Sequence, residues 1–269
     1  MFMHARNGTV HLQDDTMYYI RFGSGSKNLI MLPGLGDGLT PVKGTAFPMA
    51  LMYHAFAKDY TVYMFSRRNH LPEGYTTRDM ARDLKSAMDI LGITRAHLVG
   101  VSMGGMIAQH FAADYPESVD KLVLAVTCAQ PNPTLVESLS EWISLAKQGD
   151  HTAFMDSNVR RIYSSAYYCK HRRLIPVMGR LTKPKSYDRF FIQAYACQAH
   201  CALDRLPAIT SPALIIGGEQ DRVLGGYASR EIASAISGAT LKMYPEWGHG
   251  LYEEAVDFHQ VILRFLLSQ

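Results

Sequence analysis

Gly100-Val101-Ser102-Met103-Gly104 places one hydroxyl between two small residues, at a join between an apolar run and a helix-spaced run. A serine in a sharp strand-to-helix turn is forced into strained backbone geometry, with its hydroxyl above the sheet edge. The glycines on either side are needed because so tight a turn leaves no room for side chains. A helix starting at that serine aims its free N–H groups and positive dipole end at any anion forming on the bound carbonyl. The chemistry this suggests is nucleophilic attack, but a serine hydroxyl is a poor nucleophile at neutral pH. It needs a base within hydrogen-bond reach and an acid to orient that base.

Partners of such a serine belong in loops at the carboxyl ends of later strands, in the order serine, acid, histidine. Asp221 lies in Gly217-Gly218-Glu219-Gln220-Asp221, directly after an apolar strand at 213–216, and His249 lies in Gly248-His249-Gly250, after a strand at 240–244. They are the expected acid and base. Glu219 competes with Asp221 from the same loop. The remaining downstream histidines fit worse: His110 falls inside the helix behind the serine, His151, His171 and His200 fall in a helical middle segment, and His259 falls in the last helix. Pro33-Gly34-Leu35-Gly36 ends another strand, where glycines let backbone N–H groups turn inward. The N–H groups of Leu35 and Met103 are therefore expected to form the oxyanion hole. Gly34, Gly36 and Gly38 have the wrong spacing for a dinucleotide fingerprint.

These residues require an alternating scaffold. Hydrophobic alternation predicts a hairpin from strands at 9–13 and 17–22, then strands at 28–32, 60–65, 96–99, 121–126, 213–216 and 240–244. Helical spacing is expected at 47–58, 76–91, 103–115, 228–236 and 252–267. The second of these carries Thr76 or Thr77 as a cap and Gly92 as a stop. Such alternation implies a mostly parallel sheet with helices on both faces. Residues 131–205 break the rhythm, with helical stretches near 135–147, 152–163 and 187–203 and no convincing strand. That segment reads as a helical cap inserted over the carboxyl edge of a core made of residues 1–130 and 206–269. It carries a net charge of +5, against −2 for the remainder. Its aromatics Phe154, Tyr163, Tyr167, Tyr168, Phe190, Phe191 and Tyr195, with Met155, are candidates for lining a substrate pocket.

At 269 residues, with 48% hydrophobic and 19% charged, the chain can bury an ample core. A net charge of +3 is too small to indicate nucleic acid. No apolar run approaches a bilayer span, and the start lacks the apolar centre of a signal peptide, so a cytoplasmic enzyme is expected. Four cysteines in a chain this long indicate no disulfide framework. Cys197 and Cys201 beside His200 invite a metal reading, but no second cluster supplies ligands; buried thiols and no metal are expected.

The stretches LPGLGDG at 32–38, YTTRDMARDL at 75–84, AHLVGVSMGG at 96–105, PALIIGGEQD at 212–221 and GHGLYEEAVDFHQVILRFL at 248–266 together resemble the α/β-hydrolase superfamily over nearly the whole chain. The likeness is greatest to small esterases, enol-lactonases and cofactor-free perhydrolases. It implies an eight-stranded sheet, a helical cap after the sixth strand, no cofactor and the same Ser102–His249–Asp221 triad. Many relatives carry Asp-x-Arg-Gly after the fourth strand; here Phe65-Ser66-Arg67-Arg68-Asn69 stands there, its matching arginine open between Arg67 and Arg68, with a loop-holding role expected and contact with an anionic substrate the alternative. The expected activity is acyl transfer to water from a small or medium ester, lactone or thioester. Perhydrolase or aminopeptidase chemistry on the same triad, and a non-catalytic ligand sensor, remain alternatives. Oligomeric state is left open.

Overall fold

A computed structural model describes residues 2–268. In chain order its elements are β1 (Arg6–His11), β2 (Thr16–Phe22), β3 (Lys27–Leu32), α1 (Ala46–Met52), β4 (Tyr60–Arg68), α2 (Thr77–Ile90), β5 (Ala96–Val101), α3 (Met103–Asp114) and β6 (Val119–Ala125). Then come α4 (Pro133–Lys147), α5 (His151–Ile162), α6 (Ser165–His171), α7 (Ile175–Leu181), α8 (Asp188–Gln198), β7 (Ala213–Gly218), α9 (Ala228–Ala235), β8 (Thr240–Tyr244), α10 (Leu251–Glu254) and α11 (Phe258–Leu267).

The strands form one eight-stranded sheet in the order β1-β2-β4-β3-β5-β6-β7-β8. The first two pairings, β1 with β2 and β2 with β4, are antiparallel, and every later pairing is parallel. Parallel strands need crossover helices, which cover both faces. The central strands β5 and β7 are accordingly apolar and buried nearly end to end. Two core clusters result, one on each face. One is built around Leu84, Ile107, Phe111 and Leu122, the other around Phe22, Phe56, Val62 and Ile262.

Helix α2 illustrates how sequence sets an element. Thr76 accepts from the Asp79 N–H while the Asp79 carboxylate accepts from the Thr76 N–H, a reciprocal cap. Met80, Leu84, Ala87 and Met88 face the core, and Gly92 ends the helix with a φ of +69°.

Several boundaries differ from expectation. The helix expected at 47–58 breaks at Tyr53 into α1 and one 3-10 turn. The helix expected at 252–267 breaks at Ala255, whose backbone is extended, into α10 and α11. The helix expected at 187–203 ends at Gln198, because Ala202 turns back to donate its N–H to the Ala129 carbonyl. Cys197 is buried, but Cys201 lies beyond that end and is exposed, which corrects the expectation of a buried thiol there. Cys169 is exposed as well. Between β6 and β7 the chain is helical, with two short helices, α6 and α7, that periodicity did not predict.

This insertion lies across the loops that follow β3, β7 and β8. The Asn132 amide donates to the Leu224 carbonyl, Gly250 N–H donates to the Ile162 carbonyl at the end of α5, and α8 rests on Gly38. A Cβ on Gly38 would stand 2.9 Å from the Phe190 Cα, so only glycine permits that approach. Among the described residues no helix is long and apolar enough to cross a membrane.

Candidate active site

Strand β5 runs through Gly100 into Ser102, which starts α3 with φ 54° and ψ −121°. Left-handed backbone at a non-glycine residue costs about 1–3 kcal/mol and persists only where the surroundings enforce it. Here they do. A Cβ on Gly100 would lie 2.5 Å from the Gly104 carbonyl oxygen, and one on Gly104 would lie 2.0 Å from that of Leu32. Both small residues flanking the serine are therefore sterically required, as the turn predicts. Ser102 N–H is held by the Ala125 carbonyl at 2.9 Å, which pins the turn to the end of β6.

His249 and Asp221 reach the serine from two different loops. The loop after β7 carries Asp221, whose Oδ1 accepts from the N–H groups of Val223 at 2.7 Å and Leu224 at 2.9 Å. Its other oxygen stands 2.8 Å from His249 Nδ1, and His249 Nε2 stands 3.0 Å from Ser102 Oγ. With Nδ1 donating to the carboxylate, Nε2 is left as the acceptor facing the hydroxyl. Asp221 and His249 are both buried. The two loops hold each other, since Gln220 N–H donates to the Trp247 carbonyl and a Cβ on Gly218 would collide with that same carbonyl at 2.3 Å. Glu219 points away, exposed and paired with Arg230.

The other downstream histidines have other neighbours. His110 and His200 pack together 5.1 Å apart behind α3. His151 stands 2.7 Å from the Tyr187 hydroxyl, and His259 lies in α11 with its ring 5.1 Å from that of Tyr53.

Leu35 begins a 3-10 turn over Leu35–Gly38, and Met103 begins α3, so each N–H lacks an intrahelical acceptor. Gly34 brings this turn against the serine: a Cβ there would lie 3.3 Å from Ser102 Cβ. Asp37, three residues on, is the anchor of the turn. Its side chain has no exposed surface, and Oδ2 takes the Arg189 guanidinium at 2.7 Å, the Arg67 N–H at 3.2 Å and the Gln193 amide at 3.3 Å. Arg189 further donates to the carbonyls of Asp37, Arg67, Arg68 and Asn69. Neither Arg189 nor Asp37 was singled out from sequence, because the pair joins residues 152 positions apart.

The two arginines after β4 take different roles. Arg67 is buried, donates to the Pro33 carbonyl at 2.5 Å, and has its pKa lowered by burial, against the opposing pull of Asp37. Arg68 pairs with Asp14 and lies 3.5 Å from Asp15 and 3.7 Å from Asp83. Both brace loops.

A cavity of about 400 Å³ opens at Ser102. Of the seven aromatics expected as candidates for lining a pocket, Phe154 and Phe190 line it. Tyr163, Tyr167, Phe191 and Tyr195 do not. Tyr163 donates its hydroxyl to Glu253 at 2.7 Å and stacks on Tyr167, which in turn packs on His171. Phe191 is turned one residue around α8 from Phe190, roughly 100° away, and is only half-buried. Tyr195 is 44% exposed beneath Lys147. Met155 and Tyr168 also lie off the cavity, Tyr168 donating to Asp156 at 2.8 Å. The walls that sequence reading missed include Leu135, Leu139 and Trp142 of α4, with Val223 and Leu224 of the acid loop. Their helical spacing was visible, but periodicity cannot separate a core face from a cavity face. Among the described residues no group of three or more His, Cys, Asp or Glu side chains is placed to hold a metal ion.

Comparison with known proteins follows the same lines. A family model described as alpha/beta hydrolase fold matches residues 27–256. A 2-hydroxy-6-oxononadienedioate/2-hydroxy-6-oxononatrienedioate hydrolase of a Pseudomonas species is 27% identical over 270 residues, covering 97% of this chain and 92% of that protein. The RutD protein of Variovorax paradoxus, which carries the name of a carbamate hydrolase, is 27% identical over 199 residues, 73% of this chain and 75% of its own. Among solved structures, the enol-lactonase from Burkholderia xenovorans superposes with a TM-score of 0.80 at 23% identity, covering 97% of this chain and all of that one. MGS-M2, an alpha/beta hydrolase enzyme from a Medee basin deep-sea metagenome library, gives 0.85 at 24% identity, over 97% and 98% of the two chains.

Proposed function

The chain belongs to the α/β-hydrolase fold family, and from that premise we propose that it is a serine hydrolase cleaving a small or medium carboxylic ester through an acyl-enzyme on Ser102. The observation that carries this reading is the continuous line from Asp221 through His249 to the Ser102 hydroxyl, with separations of 2.8 and 3.0 Å, opening on an apolar cavity.

In this reading Ser102 Oγ attacks the ester carbonyl carbon while its proton passes to His249 Nε2. Negative charge gathers on the carbonyl oxygen and is met by the N–H groups of Leu35 and Met103, fixed before the reaction begins. The C–O bond to the alcohol breaks as His249 returns the proton to the leaving oxygen. Water then attacks the acyl carbon, gives its proton to His249, and the acid departs as Ser102 regains its hydrogen. Asp221 keeps Nδ1–H directed and offsets the charge on the imidazolium. Residues 131–205 serve as the cap that walls the substrate in, on a core of residues 1–130 and 206–269. Lactones and thioesters are open to the same chemistry.

The test is turnover of p-nitrophenyl butyrate by wild type and Ser102→Ala, with a fluorophosphonate probe mapped to its residue. Turnover lost in the variant and labelling at Ser102 are expected. Label on any other residue, or a wild type that binds esters without burst or turnover, would overturn the assignment and favour a ligand sensor.

A further inference from the structure

The cavity at Ser102 does not stay on one face of the sheet. On one side of the serine its walls are Leu135, Leu139, Trp142, Phe154, Phe190 and Val223, all members of the core cluster that includes α4 and α8. On the other side they are Met49, Tyr53, Phe56, Tyr252, Phe258 and Ile262, which belong to or pack against the opposite cluster between α1 and α11. Ser102 and His249 stand where the two meet, across the carboxyl edge of the sheet. A nucleophile at the end of a single blind pocket has room for one substituent of the carbonyl it attacks. A nucleophile between two apolar arms has room for both.

The polar groups on the walls are already committed or neutral. Asp37 is paired with Arg189, and Glu253 is exposed and takes the Tyr163 hydroxyl. Burial lowers the pKa of His259 and, with the charge of Glu253, pushes the Tyr53 phenol up to about 12. Among the described residues, the wall includes no lysine or arginine. Lys170, Arg172 and Arg173 of the insertion sit exposed, and its half-buried Arg161 and Arg189 are taken up by Glu137 and Glu141 and by Asp37. A carboxylate entering either arm would lose its hydration with no cation to receive it.

Resting on the serine-hydrolase reading, we propose that the substrate is an uncharged ester with an apolar chain on each side of the scissile carbonyl, one chain in each arm. This separates the chain from the dioate hydrolases to which it is similar, whose named substrates carry two carboxylates. Each methylene buried contributes about a fourfold gain in kcat/KM. A terminal carboxylate must instead enter protonated, at a cost of three to four orders of magnitude (roughly) at pH 8.

The experiment follows kcat/KM along two series: p-nitrophenyl acetate, butyrate and octanoate for the acyl side, and methyl, butyl and octyl butyrate for the alcohol side. The p-nitrophenyl monoester of octanedioic acid is the charged partner of the octanoate. Met49→Trp plugs the α1 arm and Asn158→Trp the insertion arm; both positions are half-buried on the cavity wall. Rising rates along both series are expected, with the charged monoester at least ~100-fold below the octanoate. Each tryptophan should flatten a different series by about tenfold or more. A flat profile in either series, both plugs flattening the same one, or equal rates for octanoate and its charged partner would overturn the proposal. If circular dichroism finds a tryptophan variant unfolded, Met49→Phe and Asn158→Phe are the smaller plugs. If no ester turns over at all, the serine-hydrolase reading fails by itself. Calorimetry on Ser102→Ala with methyl octanoate against monomethyl octanedioate still decides the substrate class, since equal affinity would refute it and a strong preference for the octanoate would support it.

Discussion

Lowering the pH from 7 to 5 should remove about 4 kcal/mol of folding stability through two histidines that play no part in the proposed reaction. His110 of α3 and His200 after α8 are buried against each other with ring centroids 5.1 Å apart. His200 Nδ1 meets the Thr77 hydroxyl at 2.9 Å, and neither His200 Nε2 nor His110 Nδ1 has a partner. Burial is the main cause that lowers both, His110 to about 4 and His200 to about 3, from 6.5. Because these folded values are depressed, the stability they sustain is complete above pH 6.5 and is lost as the pH falls toward 4 for His110 and toward 3 for His200. At pH 5 an unfolded histidine gains about 1.5 pH units of protonation free energy, roughly 2 kcal/mol, that the folded one cannot take up. Two such residues give about 4 kcal/mol, a large share of the ~5–15 kcal/mol that holds a domain together. The assay is urea unfolding at pH 7 and 5 for wild type and for His110→Leu/His200→Asn, where the asparagine keeps a polar group near Thr77. Wild type should lose about 4 kcal/mol more than the double variant over this interval. An equal loss in both proteins would refute the reasoning.

Three further outcomes follow from the site. Asp221→Asn keeps an acceptor for the Val223 and Leu224 amides but presents N–H to His249 Nδ1, so kcat on p-nitrophenyl butyrate should drop about 10⁴-fold while thermal unfolding shifts little. Arg189→Met strands the Asp37 carboxylate, with an expected cost of about 3 kcal/mol in urea unfolding and a loss in kcat that exceeds any change in KM, as the turn bearing Leu35 loosens. Gly104→Ala forces a methyl to within 2.0 Å of the Leu32 carbonyl, so soluble folded yield, measured by circular dichroism of the purified protein, should collapse.

The residues proposed for the chemistry were legible because local rules govern them. A tight turn demands Gly100 and Gly104, and chain order places Asp221 and His249 after β7 and β8. Helix α2 was legible for the same reason, its cap and stop lying within its own sequence. What stayed hidden depends on how distant pieces dock. Phe190 and Phe191 are equally aromatic and adjacent, and only the seating of α8 on Gly38 decides which one meets the cavity. The breaks at Tyr53 and Ala255 interrupt apolar patterns that continue across them. Helices α6 and α7, each seven residues long, are too short for periodicity to separate from loop. Tyr163 and Tyr167 spend their rings on each other and on His171, a pairing that spacing alone did not reveal.

Arg189 has a mechanical consequence as well. One guanidinium grips the carbonyls at the end of β4 and the carboxylate beneath the Leu35 turn. Swinging α8 outward would abandon a bare negative charge in a dry interior, so the contact that steadies the Leu35 turn also rivets this helix to the edge of the sheet.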